Sequence, residues 1–244
     1  MKTVVFCEGT TDLLMIQFVL QYRYGWKYEG FLENAVTKRL LKKTLVKNGS
    51  IVEIRSCGGI MNIPKKMREL QEHVEYATKS TEMYDKVIVL IDHDTVCSNQ
   101  EFLDKVNDKL ETNFSEDDIN IDRKWVINNL IMGEKELDLF IRCLPETETG
   151  AIEAIMLEAL TTDDIEEKII LDSTNFIVAM SQEQNRYLQK KSLVSKAVFN
   201  TYFSIRTPEE KYDERAKILC AYDWVNNEVI NKGFSFLDIP TENY

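Results

Sequence analysis

Four carboxylates follow two apolar segments of the sequence: Glu8, Asp12, Asp92 and Asp94. The segments are residues 3–7 and 87–91. Side chains two residues apart on an extended chain point the same way, so Asp92 and Asp94 can share one cation. Clustered carboxylates raise one another's pKa unless a cation neutralises them. Oxygen-only ligands favour Mg²⁺ or Mn²⁺, so the pattern predicts a divalent-metal site.

The elements around these carboxylates are a strand, a tight turn and a helix. Residues 3–7 predict a buried strand, Gly9 is expected to allow the turn, and helical spacing follows from Leu13. Asp12 then falls in the first helical turn, where the helix dipole favours an anion. The aliphatic run at 86–91 is typical of a strand in a parallel sheet. Ligands of open α/β sheets bind outside the carboxyl ends of such strands.

The remaining pattern alternates strands with helices, which predicts an α/β fold: a mostly parallel sheet flanked by helices, with a C-terminal helical lobe. The lobe should begin near Pro145, giving a core at 1–145 and a helical lobe at 146–244. The other predicted helices are 32–47, 64–78, 101–110 and 150–160, followed by mainly helical sequence to 232. The other predicted strands are 51–55, 125–131 and 137–144.

Composition narrows the class of protein. The 244 residues include 41 acidic and 30 basic ones, a net charge of −11, with 44% apolar and 29% charged residues, which is ordinary for a globular protein. The longest aliphatic run, 87–91, is far short of the roughly 20 residues that a membrane span needs. The two histidines and five scattered cysteines form no zinc motif. The scattered cysteines predict reduced thiols. Glu8 and Asp12 interrupt the apolar start of the chain, which disfavours a signal peptide. Together these features predict a cytoplasmic protein without a membrane partner.

One segment is basic despite the acidic total. Between Ala35 and Arg68 there are nine basic residues and one acid, Glu53, a net of 9 − 1 = +8. This predicts contact with nucleic-acid phosphates, and a solvated helix surface is the alternative interpretation. The candidate phosphate-binding residues are Lys38, Arg39, Lys42, Lys43, Lys65, Lys66 and Arg68.

Three motifs together resemble the Toprim domain: Phe6–Asp12, the Gly58-Gly59 turn, and Val87–Asp94. This domain occurs in topoisomerases, DnaG-type primases, OLD-family nucleases, RecR recombination proteins and a ribonuclease that matures 5S ribosomal RNA. The resemblance covers about residues 1–145 and implies a Toprim-like Rossmannoid sheet. It implies that Glu8 is a metal ligand or general acid/base, that Asp92 and Asp94 bind Mg²⁺, and that Asp12 is the additional acid of some members.

Two later residues enter through the same resemblance, to OLD-type nucleases and small stand-alone bacterial Toprim-like proteins. Glu153, in Gly150-Ala151-Ile152-Glu153, would be a ligand of a second metal. Lys196, in Lys196-Ala197, would stabilise charge on the phosphate. A favourable acid in a first helical turn and a surface lysine are the alternative interpretations.

The resemblance implies a Mg²⁺- or Mn²⁺-dependent nuclease in which Glu8, Asp92 and Lys196 are catalytic. Its rival is a non-catalytic nucleic-acid-binding or scaffold module that works with a partner protein. Nucleotidyl transfer lacks a recognisable nucleotide-binding addition, and a response-regulator-like domain would place its paired acids after the first strand. His93 departs from the usual middle residue of the Asp-x-Asp motif. No GxxxxGK[ST] occurs, so an ATPase would have to be a separate partner.

Overall fold

The computed structural model describes residues 1–29, 42–93, 96–146, 150–161, 163–183, 186–208 and 222–241. Within them one sheet contains seven strands, in the spatial order β2-β3-β4-β1-β5-β7-β6. The strands are β1 (Lys2–Cys7), β2 (Lys27–Tyr28), β3 (Lys42–Lys47), β4 (Ser50–Ser56), β5 (Lys86–Asp92), β6 (Asp122–Asn129) and β7 (Gly133–Leu144).

The centre of the sheet is parallel. β1 pairs in parallel with β4 on one side and with β5 on the other, with Phe6 beside Arg55 and Val89. β1 is apolar from Val4 to Cys7 and β5 from Val87 to Ile91, and both stretches are buried, as strands covered on both faces must be. Antiparallel pairs, β2 with β3, β3 with β4 and β6 with β7, lie toward the two edges. The predicted α/β fold is therefore confirmed.

The predicted helix at 32–47 is wrong over its last six residues, which form strand β3, while residues 32–41 lie outside the described residues. β3 and β4 form a hairpin with Lys47 opposite Ser50. Asn48 and Gly49 both have positive φ, at 47° and 76°. Asn-Gly with two positive φ angles is the preferred two-residue hairpin turn, and it overrides the helix propensity of the preceding lysines and leucines.

The described helices are α1 (Thr10–Phe18), α2 (Ile63–Tyr76), α3 (Val96–Leu110), α4 (Ile152–Leu160), α5 (Asp164–Glu183), α6 (Lys191–Arg206) and α7 (Glu228–Gly233). A π-helical turn, Val19–Arg23, continues α1. The predicted helices at 64–78, 101–110 and 150–160 correspond to α2, α3 and α4. None of the helices described has the length and apolar character needed to cross a membrane.

The chain forms two compact units. The first comprises Met1–Ile91, Val96–Cys143 and Ile239–Tyr244, and its core packs α2 and α3 against strand residues such as Val4, Val89 and Leu139. The second comprises Asp92–Thr95 and Leu144–Asp238, and α4 packs there against α5, α6 and α7. Along the chain, the main boundary between the two units falls at Cys143–Leu144, beside the boundary predicted after residue 145.

Asn129 joins the end of β6 to the end of α2. Its side-chain amide donates hydrogen bonds to the carbonyls of Val74, at 2.6 Å, and Ala77, at 3.0 Å. Its Oδ1 accepts from the backbone N–H groups of Ile131 and Met132. The residue is buried, so these bonds satisfy four backbone groups at a site with little access to water.

We therefore predict that Asn129→Ala lowers the free energy of unfolding by about 2–4 kcal/mol, because it leaves several backbone groups unsatisfied. Urea unfolding followed by circular dichroism measures the loss. The neighbouring exposed Asn128 provides the matched control, and Asn128→Ala should change stability by less than about 0.5 kcal/mol. Equal effects of the two variants would contradict this role.

Candidate functional site

Glu8 and Asp12 lie on the turn that joins β1 to α1. Gly9 caps the helix, and its backbone N–H donates to Asp12 Oδ2 at 2.8 Å. Asp12 is buried and lies in the first helical turn, as predicted. Gly9 has φ −129°, an extended conformation open to any residue, so the turn does not depend on a glycine there.

The Gly58-Gly59 turn is attached to the same segment. Gly59 N–H donates to the Glu8 carbonyl at 2.8 Å, and both glycines have positive φ, at 74° and 120°. That conformation disfavours residues with a Cβ atom, which explains why two glycines occur here. Two of the motifs that resemble the Toprim domain, Phe6–Asp12 and Gly58-Gly59, are thus neighbours in the structure.

Asp92 is the last residue of β5 and is buried, with 6% of its surface exposed. One carboxylate oxygen, Oδ2, forms an ion pair with the ammonium group of Lys196 on α6. The other, Oδ1, accepts from the backbone N–H of Ile152, the first residue of α4, at 3.4 Å. An ammonium group and a helix N-terminus therefore stabilise the ionised carboxylate.

The residue after Asp92 fixes the local backbone. His93 N–H donates to the Leu144 carbonyl at 2.8 Å, and Gly150 N–H donates to the His93 carbonyl at 2.8 Å. The His93 ring donates through Nδ1 to the Pro145 carbonyl at 2.9 Å. His93 thus has a positioning role that its place within the Asp-x-Asp motif did not suggest. Asp94 lies outside the described residues.

Glu153 follows Ile152 in the first turn of α4 and is buried, with 4% of its surface exposed. It belongs to the second unit together with Asp92 and Lys196, whereas Glu8 and Asp12 belong to the first. An acid that only stabilises a helix N-terminus is expected to be exposed at the surface, whereas Glu153 is buried. Burial of a carboxylate is costly unless its environment compensates the charge.

The donor set suits a hard cation in chemistry, since it consists of carboxylate oxygens. In the part of the chain that the structure describes, no three Asp, Glu, His or Cys side chains are grouped as a metal site. Magnesium is commonly held by one or two carboxylates, with the remaining positions filled by water and substrate phosphate. Asp92 and Glu153 have the donor chemistry for that smaller requirement, and a cation would have to compete with Lys196 for Asp92.

The thiols near this region are unsuited to nucleophilic chemistry. Cys7, next to Glu8, is fully buried, and burial together with the charge of Asp12 raises its pKa well above the usual value. Burial raises the pKa of the Cys57 thiol to about 12. Because the thiolate is the reactive form, neither cysteine is a candidate nucleophile.

The predicted phosphate-binding residues have different surroundings. Lys43 is buried and donates to the Tyr28 hydroxyl at 2.7 Å, so its inclusion among them is corrected. On α2, Lys66 pairs with Glu69 and Arg68 with Glu72, which fits a solvated helix surface. Lys65 and Lys42 are exposed. Lys38 and Arg39 lie outside the described residues.

Glu53 is the centre of a charged cluster on β4. Its carboxylate binds Arg55 at 2.6 Å and Lys42 at 3.0 Å, and Lys2 lies 3.9 Å away. The Tyr84 hydroxyl donates to the same carboxylate at 2.9 Å. Burial alone would raise the Glu53 pKa, but the hydrogen bonds from Arg55 and Lys42 outweigh it and lower the pKa from 4.5 to about 2.

This pKa predicts a pH dependence of stability. A depressed carboxyl pKa contributes stability that is complete above the unfolded value, about 4.5, and is lost as the pH falls toward about 2. We expect Glu53→Gln to remove roughly 3 kcal/mol at pH 7 and to flatten the stability profile between pH 5 and 2. Urea unfolding at a series of pH values measures both. Parallel profiles for the variant and wild type would contradict the role of Glu53.

Comparison with solved structures finds a crystal structure of the hypothetical protein PH0156 from Pyrococcus horikoshii OT3. It shares 17% sequence identity, has a TM-score of 0.56, and the match covers 97% of this chain and 95% of the other. At that identity the similarity supports the fold alone. No curated protein matches this chain.

A protein-family comparison covers most of the sequence. Residues 2–231 match the family described as "Protein of unknown function (DUF3226)". The matched range runs from the start of β1 into α7 and therefore covers most of both compact units. The chain belongs to the DUF3226 family.

Proposed function

We propose that this protein is a Toprim-type nuclease that cleaves phosphodiester bonds of DNA or RNA and depends on Mg²⁺ or Mn²⁺. The observation that carries the proposal is the environment of Asp92. A buried carboxylate at the end of a parallel strand is bound by a lysine and a helix N-terminus. Carboxylate and lysine are the pair needed to hold a cation and to stabilise a phosphate.

The proposed metal ligands are Glu8, Asp12, Asp92, Asp94 and Glu153. A divalent cation supplies positive charge for the phosphate and lowers the pKa of bound water. Glu8 can alternatively act as the general base, since its segment is held by the Gly59 hydrogen bond to its backbone carbonyl. The Toprim resemblance of the three motifs supports these assignments.

Lys196 has two proposed partners during the reaction. Without substrate its ammonium group pairs with Asp92, and 35% of its side chain is exposed. When a phosphodiester binds, the ammonium group leaves Asp92 and contacts a phosphate oxygen, where it neutralises the negative charge that develops. The exchange would leave Asp92 Oδ2 available to hold a divalent cation. Lys196 thus links substrate binding to the state of the carboxylate.

The proposed cellular setting follows from composition. The scattered cysteines suit a reducing compartment, so we infer a cytoplasmic location. The proposed partner is nucleic acid. A separate ATPase or other protein is a further candidate, because the sequence contains no GxxxxGK[ST] motif of an ATPase.

A non-catalytic binding module is the second candidate function. It is favoured by the absence of a three-ligand metal group among the described side chains and by the ammonium group already bound to Asp92. In such a module the ion pair would be purely structural. The two functions differ in whether loss of the Asp92 charge affects phosphodiester cleavage or only stability.

Asp92→Asn is the decisive variant, because it retains an acceptor for Ile152 N–H while removing the charge. We expect it to lower the cleavage rate of labelled DNA and RNA oligonucleotides in Mg²⁺ or Mn²⁺ by about 10²-fold or more. Asp104→Asn, at an exposed residue of α3 that accepts from Gln100, is the matched control and should cleave like wild type.

Thermal unfolding of both variants controls for folding. Full-rate cleavage by a folded Asp92→Asn variant would show that Asp92 does not bind the catalytic cation. Absence of cleavage by wild type on every substrate, combined with nucleic-acid binding, would favour the non-catalytic module.

A further inference from the structure

The edge of the sheet formed by β2, β3 and β4 has two different faces. Leu45, Val52 and Ile54 are fully buried on one face, where α1 packs against β3 and β4. The alternate residues point to the other face, because successive side chains of a strand alternate. Thr44 and Val46 on this second face are half-exposed.

The strand register arranges basic side chains in rows across the second face. In one row Val46 lies between Lys27 of β2 and Ile51 of β4, and Lys2 of β1 lies beyond Ile51. In another row Lys42 of β3 lies opposite Arg55 of β4. Lys2 and Lys27 are outside the basic segment recognised in the sequence, and only the register brings them to this face.

The middle row contains the acids of this face. Thr44 lies opposite Glu53, and the N–H of Glu29 donates to the Thr44 carbonyl at 3.0 Å. Among the described residues of β1 to β4 and Glu29 that lie in these rows, four basic and two acidic side chains give a net charge of 4 − 2 = +2, in a chain with a total of −11. We call these six residues the basic face: Lys2, Lys27, Glu29, Lys42, Glu53 and Arg55.

Glu53 orders the cations around it. The Arg55 guanidinium is held by the Glu53 carboxylate and by a hydrogen bond to the Tyr84 hydroxyl at 2.6 Å. Lys2 Nζ lies 4.2 Å from the centre of the Tyr84 ring. Side chains that are fixed before binding lose less conformational entropy when they contact a ligand.

We propose that the basic face is the surface on which this protein binds the phosphate backbone of a nucleic acid. The inference rests on the proposed function, since it names where the substrate of that activity is held. The basic face replaces the helical basic surface that the sequence predicted. Lys42 is on the exposed side of β3, whereas Lys43 is on its buried side.

Charge complementarity and extent favour this partner. Lys42 and Val46 are four residues apart on β3, so the outer rows are separated by about 13 Å. A duplex rises about 3.4 Å along its axis per phosphate of one strand, so this separation corresponds to roughly four steps along the axis. The point on which Arg55, Lys42 and Lys2 converge is already occupied by the Glu53 carboxylate rather than left for a small anion. Lys27 lies in a different row from Lys42, so the basic charge extends beyond that point.

The test is fluorescence anisotropy of labelled DNA and RNA oligonucleotides, single-stranded and duplex, with the full chain in EDTA, so that cleavage is not required. We expect Lys27→Ala/Lys42→Ala to weaken binding about tenfold or more at 0.1 M salt. The slope of log K against log salt should fall by about 1.4 for a single strand.

Lys105→Ala/Lys168→Ala is the control with the same change in net charge. Both lysines are exposed, and each pairs with an acid one helical turn away. This variant should retain wild-type affinity and slope, and thermal unfolding should show that both double variants are folded.

Three results would overturn the proposal: equal weakening by both double variants, no weakening by Lys27→Ala/Lys42→Ala, or wild-type binding to anionic lipid vesicles but to no oligonucleotide. Loss of cleavage in Asp92→Asn, together with binding that is weakened by Lys27→Ala/Lys42→Ala and not by Lys105→Ala/Lys168→Ala, would support both proposals. Oligonucleotide binding through the basic face without any cleavage by wild type would contradict the nuclease alone.

Discussion

The ion pair between Asp92 and Lys196 is the constraint on which the candidate site in the second compact unit depends. The two residues are 104 positions apart, and the Asp92 side chain is 7% exposed. A buried carboxylate without a partner is strongly unfavourable, so the chain must bring α6 and the first residue of α4 to this position. The same requirement makes Asp92 a sensitive position. Any cation that binds there must replace an ammonium group rather than enter an uncompensated acidic cluster.

Carboxylates and basic residues lie in different parts of the sheet. Its parallel centre contains the apolar strands β1 and β5, which are followed by or end in carboxylates. At its edge β2, β3 and β4 pair antiparallel, and this edge has Lys27, Lys42 and Arg55 on one face and buried apolar residues on the other. A strand with one buried and one exposed face can present charge to solvent without weakening the core. This arrangement allows an acidic protein to present a locally basic surface.

The sequence predicted the centre of the fold well, because buried parallel strands require continuous aliphatic runs. The run at 87–91 and the Glu8-to-Asp12 turn were located from composition and spacing alone. β3 was missed because lysine and leucine favour helices in isolation, and the pairing with β4 is a non-local interaction. The Asn48-Gly49 dipeptide was the available signal for that hairpin. Thr44 and Val46, both β-branched, agree with it.

The candidate site was less predictable than the fold. Asp92 as the end of β5 followed from the sequence, and Lys196 and Glu153 were suggested by resemblance. The donation from Ile152 N–H and the positioning role of His93 were not predictable, since both depend on where α4 begins relative to β5. The basic face was also hidden, because Lys2 and Lys27 are distant in sequence from Lys42 and Arg55. Strand register alone makes them neighbours.

Manganese titration in the presence of a non-cleavable phosphorothioate oligonucleotide tests the proposed role of Asp92 most directly. Calorimetry would compare wild type, Asp92→Asn and Lys196→Met. We predict binding to wild type and at least about tenfold weaker binding to Asp92→Asn, because the variant loses the charge that attracts the cation. In a parallel titration without the oligonucleotide, Lys196→Met should bind manganese more tightly than wild type, because the competing ammonium group is removed. Equal manganese affinity of wild type and a folded Asp92→Asn variant would contradict the assignment of Asp92 as a metal ligand.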